Sequence, residues 1–140
     1  MPFVLDASVS LAWCFEDEET PYASEVFDRL RTDRALVPTI WPLEVANTLL
    51  VGERRGRLTL AMSTRFVRTL SGLSITVDDR TSSVALGSVL GLSREQGLSA
   101  YDASYLELAA REGLPLATQD SRLQAAAERI GVEILAGPPG

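Results

Sequence analysis

Phe3-Val4-Leu5-Asp6-Ala7-Ser8 is the stretch whose reading decides the fold. Three consecutive apolar residues followed at once by an acid and two small residues read as a short buried strand that turns into a helix. The helix continues through Val9, Leu11, Ala12 and Cys14. The same alternation recurs outward from there. Ala35-Leu36-Val37 is a second strand, cut off by Pro38, and Pro42 suits the first turn of a helix through Val45, Ala46, Leu49 and Leu50 to about Arg55. Ser74-Ile75-Thr76-Val77 alternates at strand period. Leu114 to Thr118 is a fourth strand, with Pro115 near its start, and Val132 to Leu135 is a final edge strand. Helical patterns fill the gaps: one opened by Pro21 with Ala23, Val26, Phe27 and Leu30 on its apolar face, one from Thr59, a long one from Asp78 to about Glu95, then Tyr101 to Arg111 and Ser121 to Arg129. Strands alternating with helices, joined by right-handed crossovers, predict an α/β fold: a three-layer α/β/α sandwich around a mainly parallel sheet of four to five strands.

The 140 residues predict a single domain over 1–140, with the tail from about residue 136 frayed. A chain of this size buries roughly two-thirds of its surface on folding. With 46% hydrophobic residues it builds a core without disulfides or a structural metal. No apolar run reaches the roughly 18 residues of a membrane span. The start of the chain lacks the basic and apolar stretches of a signal peptide, so the expectation is a cytoplasmic protein with no membrane partner.

Composition narrows the chemistry. The chain has no histidine, and all 13 basic residues are arginines. Histidine-based acid–base catalysis, His-containing metal sites, lysine Schiff bases and the Lys-bearing phosphate loop are thereby excluded. Cys14 is alone, cannot form an intramolecular disulfide, and is expected to be buried. The net charge of −6 argues against a protein that coats nucleic acid through bulk positive potential. Catalysis by this chain falls to carboxylates, hydroxyls, arginines and metal ions.

Four acids stand where a doubly wound fold places its active site, at strand ends and the helix starts beside them. Asp6 follows the first strand, Glu44 lies in the first turn of the Pro42 helix, Asp102 follows the loop Gly97-Leu98-Ser99, and Asp120 ends the fourth strand. Helix capping alone accounts for any one of them, since an acid at a helix N-terminus gains about 0.3–1 kcal/mol. Ser99 to Asp102 and Ser121 to Gln124 both fit capping-box patterns. If the first strand is central, however, all four carboxylates converge on one crevice. Two like charges about 4 Å apart repel by about 4 kcal/mol at an effective dielectric near 20. Such a cluster requires protonation or cations, and oxygen-only ligation selects Mg²⁺ or Mn²⁺. An ion of this kind acidifies water, orients a phosphodiester and steadies the departing oxygen.

Val4-Leu5-Asp6-Ala7-Ser8, Pro42-Leu43-Glu44-Val45-Ala46-Asn47, Ser99-Ala100-Tyr101-Asp102-Ala103 and Leu116-Ala117-Thr118-Gln119-Asp120-Ser121-Arg122-Leu123 together resemble the PIN-domain ribonucleases, in particular the VapC-type toxins of toxin–antitoxin pairs. The likeness runs over about residues 3 to 135. It implies that Asp6, Glu44, Asp102 and Asp120 are catalytic and bind one or two Mg²⁺ (or Mn²⁺) ions. It implies an endoribonuclease that leaves a 5′-phosphate and a 3′-hydroxyl, a cognate VapB-like antitoxin that blocks the site, and a homodimer. Ser8 and Thr118 match positions whose hydroxyls support the acidic cluster. Asn47, one turn after Glu44, would orient that acid or reach the RNA. Some relatives carry a fifth acid near the last motif, whereas between Ala117 and Leu123 only Asp120 is acidic here.

Other residues carry weaker readings. Arg122, beside Asp120, is a candidate for holding RNA or a phosphate. Arg54, Arg55 and Arg57 read first as a cationic helix C-terminus favoured by the helix dipole. Trp13 and Trp41 flank the expected crevice and would either stack bases or pack internally, with packing the stronger reading. The alternative function is a non-catalytic PIN-like module that binds RNA or a protein. A phosphatase with an aspartyl nucleophile is disfavoured, because the chain has no Lys and Ser8 stands two positions after Asp6.

Overall fold

The structure, a computed structural model, describes residues 1–137. In chain order the elements are β1 (Phe3–Leu5), α1 (Ala7–Ala12), α2 (Pro21–Arg29), β2 (Ala35–Val37), α3 (Trp41–Arg54), α4 (Leu60–Ser71), β3 (Ile75–Val77), α5 (Thr81–Val84), α6 (Leu90–Gln96), α7 (Ala100–Glu112), β4 (Leu116–Ala117) and α8 (Ser121–Ile130). The four strands form one all-parallel sheet in the order β3-β2-β1-β4, flanked by helices. Phe3 pairs with Ala35, Val4 with both Leu36 and Leu116, and Leu5 with Ala117. Phe3, Val4 and Leu5 are fully buried, because an internal parallel strand is covered on both faces. That is why this strand is continuously apolar rather than alternating.

β1 is internal to the sheet, with β2 on one side and β4 on the other. Chain leaving β1 and β2 turns one way and chain leaving β4 another, so a crevice opens at the carboxyl end of β1. The side chains of β1, Val37, Leu106, Leu108, Leu116 and Leu123 form the centre of the core.

Three elements differ from the sequence expectation. The helix expected from Asp78 to about Glu95 is broken into α5, a π-helical turn over Ala85–Val89, and α6. The Leu90 N–H reaches back to the Ala85 carbonyl, the i→i+5 bond of a widened turn, in a stretch where Gly87 and Gly91 weaken ordinary helix. Asp78 lies ahead of α5, and its carboxylate accepts from the Arg80 N–H and the Thr81 hydroxyl. The fourth strand is shorter than expected because Pro115 has no N–H to donate. The expected edge strand at Val132–Leu135 reduces to a single parallel bridge, Ile134 to Leu116.

The capping box expected at Ser121 is also replaced. Asp120 is the N-cap of α8, accepting from the Arg122 and Leu123 N–H groups. Leu135 and Ala136 are held against α2 by Tyr22 and Arg29. The fraying expected of the tail lies, for Pro138–Gly140, outside the described residues. Among the described residues no helix is long and apolar enough to cross a membrane.

Candidate active site

Asp6 is the first residue beyond β1 and the N-cap of α1. It is 6% exposed. Its Oδ2 accepts from the Ser8 hydroxyl at 2.7 Å and from the Thr118 hydroxyl at 2.8 Å. Thr118, fully buried just past β4, also accepts from the Asp120 N–H at 3.1 Å, so one hydroxyl links two of the acids. Burial pushes the Asp6 pKa up; the hydroxyls of Ser8 and Thr118 pull it back, and the charge of Asp120 raises it further.

Glu44 is delivered by the first turn of α3, where Pro42 sets the helix start without wasting an N–H. Its Oε1 accepts from the Tyr105 hydroxyl at 2.6 Å. Its pKa is raised by burial first, lowered by Tyr105, and raised again by Asp6 and Asp102. Asp102 sits in the first turn of α7, whose N-cap Ser99 accepts from the Asp102 N–H at 3.1 Å. Burial and then the charges of Asp6 and Asp120 raise its pKa, against smaller downward effects of Ser99 and Arg122. The capping reading and the site reading of these acids are thus compatible: Asp120 caps α8 through Oδ1 and keeps Oδ2 for other partners.

The acids act on one another: Asp120 raises the Asp6 pKa, Asp6 and Asp120 raise that of Asp102, and Asp6 and Asp102 raise that of Glu44. The set is electrostatically coupled but not contracted: among the described residues, no three acidic side chains stand close enough to hold one ion together. The donors that tie these acids are hydroxyls and backbone N–H groups, and none of the ion pairs among the described residues involves any of the four. Oxygen donors, uncompensated negative charge and no guanidinium on any of them fit a hard divalent cation such as Mg²⁺ or Mn²⁺.

Tyr105 is the residue that sequence reading missed. It lies one helical turn after Asp102 on α7, and that Asp-x-x-Tyr spacing was the available signal. Of the remaining candidates, Ser8 and Thr118 bond Asp6, and Arg122 lies near enough to Asp102 for its charge to lower that acid's pKa. Arg122 donates from Nη2 to the Gly97 carbonyl at 2.9 Å, bracing the left-handed turn (φ +66°) that leads into α7. Asn47 is exposed, and Glu44 takes its hydrogen bond from Tyr105 instead. Both tryptophans are packing residues. The Trp13 indole donates to the Ala23 carbonyl at 2.7 Å and stands edge-on to Phe27, and the buried Trp41 donates to the Ser10 hydroxyl at 3.0 Å. Cys14 is half-buried rather than buried. Arg57 lies over the Phe15 ring and pairs with Asp17, while Arg54 and Arg55 are exposed.

Two sizeable grooves lie away from the acids. One of about 880 Å³ is lined by residues including Trp13, Phe15, Phe27, Arg57 and Phe66. The other, of about 820 Å³, runs between α3 and α4 and includes Val45, Leu49, Val67 and Leu70.

Among solved structures, the chain is similar to PAE2754 from Pyrobaculum aerophilum, with a TM-score of 0.65 and 28% identity over 90% of this chain and 79% of that one. It is also similar to VapBC2 from Rickettsia felis, a structure bound to a DNA fragment from their promoter, with a TM-score of 0.66 and 12% identity over 97% and 98% of the two chains. No match is found among curated proteins. The PIN domain model matches residues 3–129, which include all four acids. The chain belongs to the PIN domain family.

Proposed function

We propose that this PIN domain is a divalent-cation-dependent endoribonuclease and the toxin of a VapBC-type pair. The observation that carries the reading is the handling of Asp6, Glu44, Asp102 and Asp120: four acids from separate chain segments share one field, Asp6, Glu44 and Asp120 are tied by neutral donors, and none of the four is in an ion pair with a guanidinium among the described residues. These four would hold Mg²⁺ or Mn²⁺. When bound, such an ion neutralises phosphoryl charge and acidifies water.

The chain's own residues supply the rest. Ser8 and Thr118 fix Asp6, Thr118 also fixes the backbone at Asp120, and Ser99 fixes the start of α7. Water attacks the phosphorus in line, the bond to the 3′-oxygen breaks, and the products are a 5′-phosphate and a 3′-hydroxyl. The attacking water's proton passes to a carboxylate, since the chain has neither histidine nor lysine to take it, and the departing 3′-oxygen takes its proton from solvent water.

The fold shared with the Rickettsia felis VapBC2 supports an antitoxin partner; from the family resemblance we infer that this partner would place a basic side chain among the acids and that the chain forms a homodimer. The spread of the acids favours a second reading, a PIN-like module that binds RNA or protein without cutting it.

One experiment separates the two. Wild type, Asp6→Asn and Asp102→Asn are incubated with total cellular RNA in Mg²⁺ or Mn²⁺, and the fragment ends are sequenced. The nuclease reading expects discrete cuts with 5′-phosphate ends, reduced about 100-fold or more in each variant while far-UV circular dichroism is unchanged. Undiminished cutting by either folded variant would sink the assignment, and no cutting by wild type in either metal would favour the binding module.

A further inference from the structure

Tyr105 is fully buried yet polar, and its hydroxyl joins two helices that are 61 residues apart in sequence. It donates to Glu44 Oε1 at 2.6 Å. A single Tyr side chain thereby ties α7, which also carries Asp102, to the first turn of α3, where Glu44 stands.

Glu44 needs such a partner more than its three companions do. Asp6 and Asp120 are short side chains clamped through N-cap geometry, and Asp102 is likewise short, on backbone whose N–H is held by Ser99. Glu44 has an extra rotatable bond and is half-buried. Its recorded side-chain hydrogen bond comes from Tyr105. A neutral hydroxyl is the suitable tether. An arginine would fix the carboxylate equally well but neutralise the charge a cation needs, whereas a phenol holds one oxygen and leaves both the charge and the second oxygen available.

We propose that Tyr105 is a positioning residue of the acidic site, holding Glu44 by one oxygen so that the other faces the cation; this rests on the reading of the four acids as a divalent-cation site. Tyr105 touches neither substrate nor cation and acts only through Glu44.

The test is Mn²⁺ binding by calorimetry to the full chain, without RNA, in wild type, Tyr105→Phe, Glu44→Gln, the double variant and Asp6→Asn. The Phe ring fills the space of the Tyr ring, and far-UV circular dichroism checks the fold. Tyr105→Phe is expected to weaken Mn²⁺ binding about 10- to 100-fold. In the Glu44→Gln background the same change is expected to cost less than about twofold, because its route of action is already gone. An unchanged affinity in Tyr105→Phe, or an equal loss in both backgrounds, overturns the proposal.

Asp6→Asn separates this from the underlying reading. Wild-type Mn²⁺ affinity in that variant overturns the cation site and the proposal with it, whereas loss there beside an unaffected Tyr105→Phe overturns the role of Tyr105 alone. Wild type gives an independent measurement should the Phe variant not fold. The Tyr105 hydroxyl proton is shielded from exchange and is expected to persist in proton NMR as Mg²⁺ is titrated in. Its disappearance on ion binding overturns the proposal.

Discussion

Two groups of acids in this molecule are treated in opposite ways. Around the end of β1, Asp6 and Glu44 receive hydrogen bonds from Ser8, Thr118 and Tyr105, and their pKa values, with that of Asp102, are pushed up. At the end of β3, Asp78 and Glu107 share Arg111, which donates to both Asp78 oxygens and both Glu107 oxygens at 2.8–3.1 Å. There the guanidinium hydrogen bond outweighs burial and holds the Asp78 pKa below the usual carboxylate value, while the two acids hold the arginine firmly charged. The same residue type thus serves two purposes. Where an arginine satisfies the charge, the acid is structural and ties α7 to the β3 end. Where only neutral groups do, the acid keeps its charge unpaired, which is what the proposed cation site requires.

The largest effect tests the structural group. Arg111→Leu leaves two acids, with side chains 7% and 8% exposed, buried without their cation. Unfolding in urea is expected to show a loss of about 3–5 kcal/mol. A loss under about 1 kcal/mol would erase the distinction between the two groups.

A smaller effect sets the groups against each other by pH. Because the native pKa values of Asp6, Glu44 and Asp102 lie above their unfolded values, the native state holds extra protons just above the ordinary values of 3.8 and 4.5. Stability in chelator is therefore expected to rise as pH falls from neutral into that window. Asp78 works the other way: its native pKa is depressed, so its contribution is lost as pH falls below 3.8. Mn²⁺ at ten times its Kd adds about 1.4 kcal/mol near neutrality and flattens or reverses the first slope, because the ion competes with protons. Thermal melts across this pH range with and without Mn²⁺ check both signs. A Mn²⁺ effect that grows as pH falls would contradict the reading.

The smallest effect comes from a third kind of acid. Asp17 pairs with Arg57 at 3.0 Å, but their side chains are 75% and 42% exposed. Asp17→Asn is expected to lower the unfolding free energy in urea by no more than about 0.5 kcal/mol. A loss comparable to that of Arg111→Leu would show that burial does not divide these pairs.

Much of this was legible in the linear chain. The all-apolar Phe3-Val4-Leu5 and the proline at the start of α3 were read correctly, because each depends on neighbours within a few residues. The break in the Asp78–Glu95 segment was not, since a π-helical turn leaves the apolar spacing almost unchanged. Asp78 itself read as a helix start, whereas its carboxylate belongs to a pair with Arg111 across 33 positions. The two tryptophans could not be assigned from spacing, because an indole N–H finds its carbonyl or hydroxyl only after the helices pack.

The chain alone determined the alternation of strands and helices, the absence of histidine and lysine, and an acid at the end of each of the first and fourth strands and near the start of α3 and α7. These follow from local periodicity and from composition. Only the tertiary structure decided that β1 lies between β2 and β4, and with that which acids share one field, which hydroxyl meets which carboxylate, and which acids are neutralised by arginine. The reason is physical: hydrogen bonds and Coulomb fields act over a few ångströms of space, and sheet order, not sequence distance, sets which residues come that close.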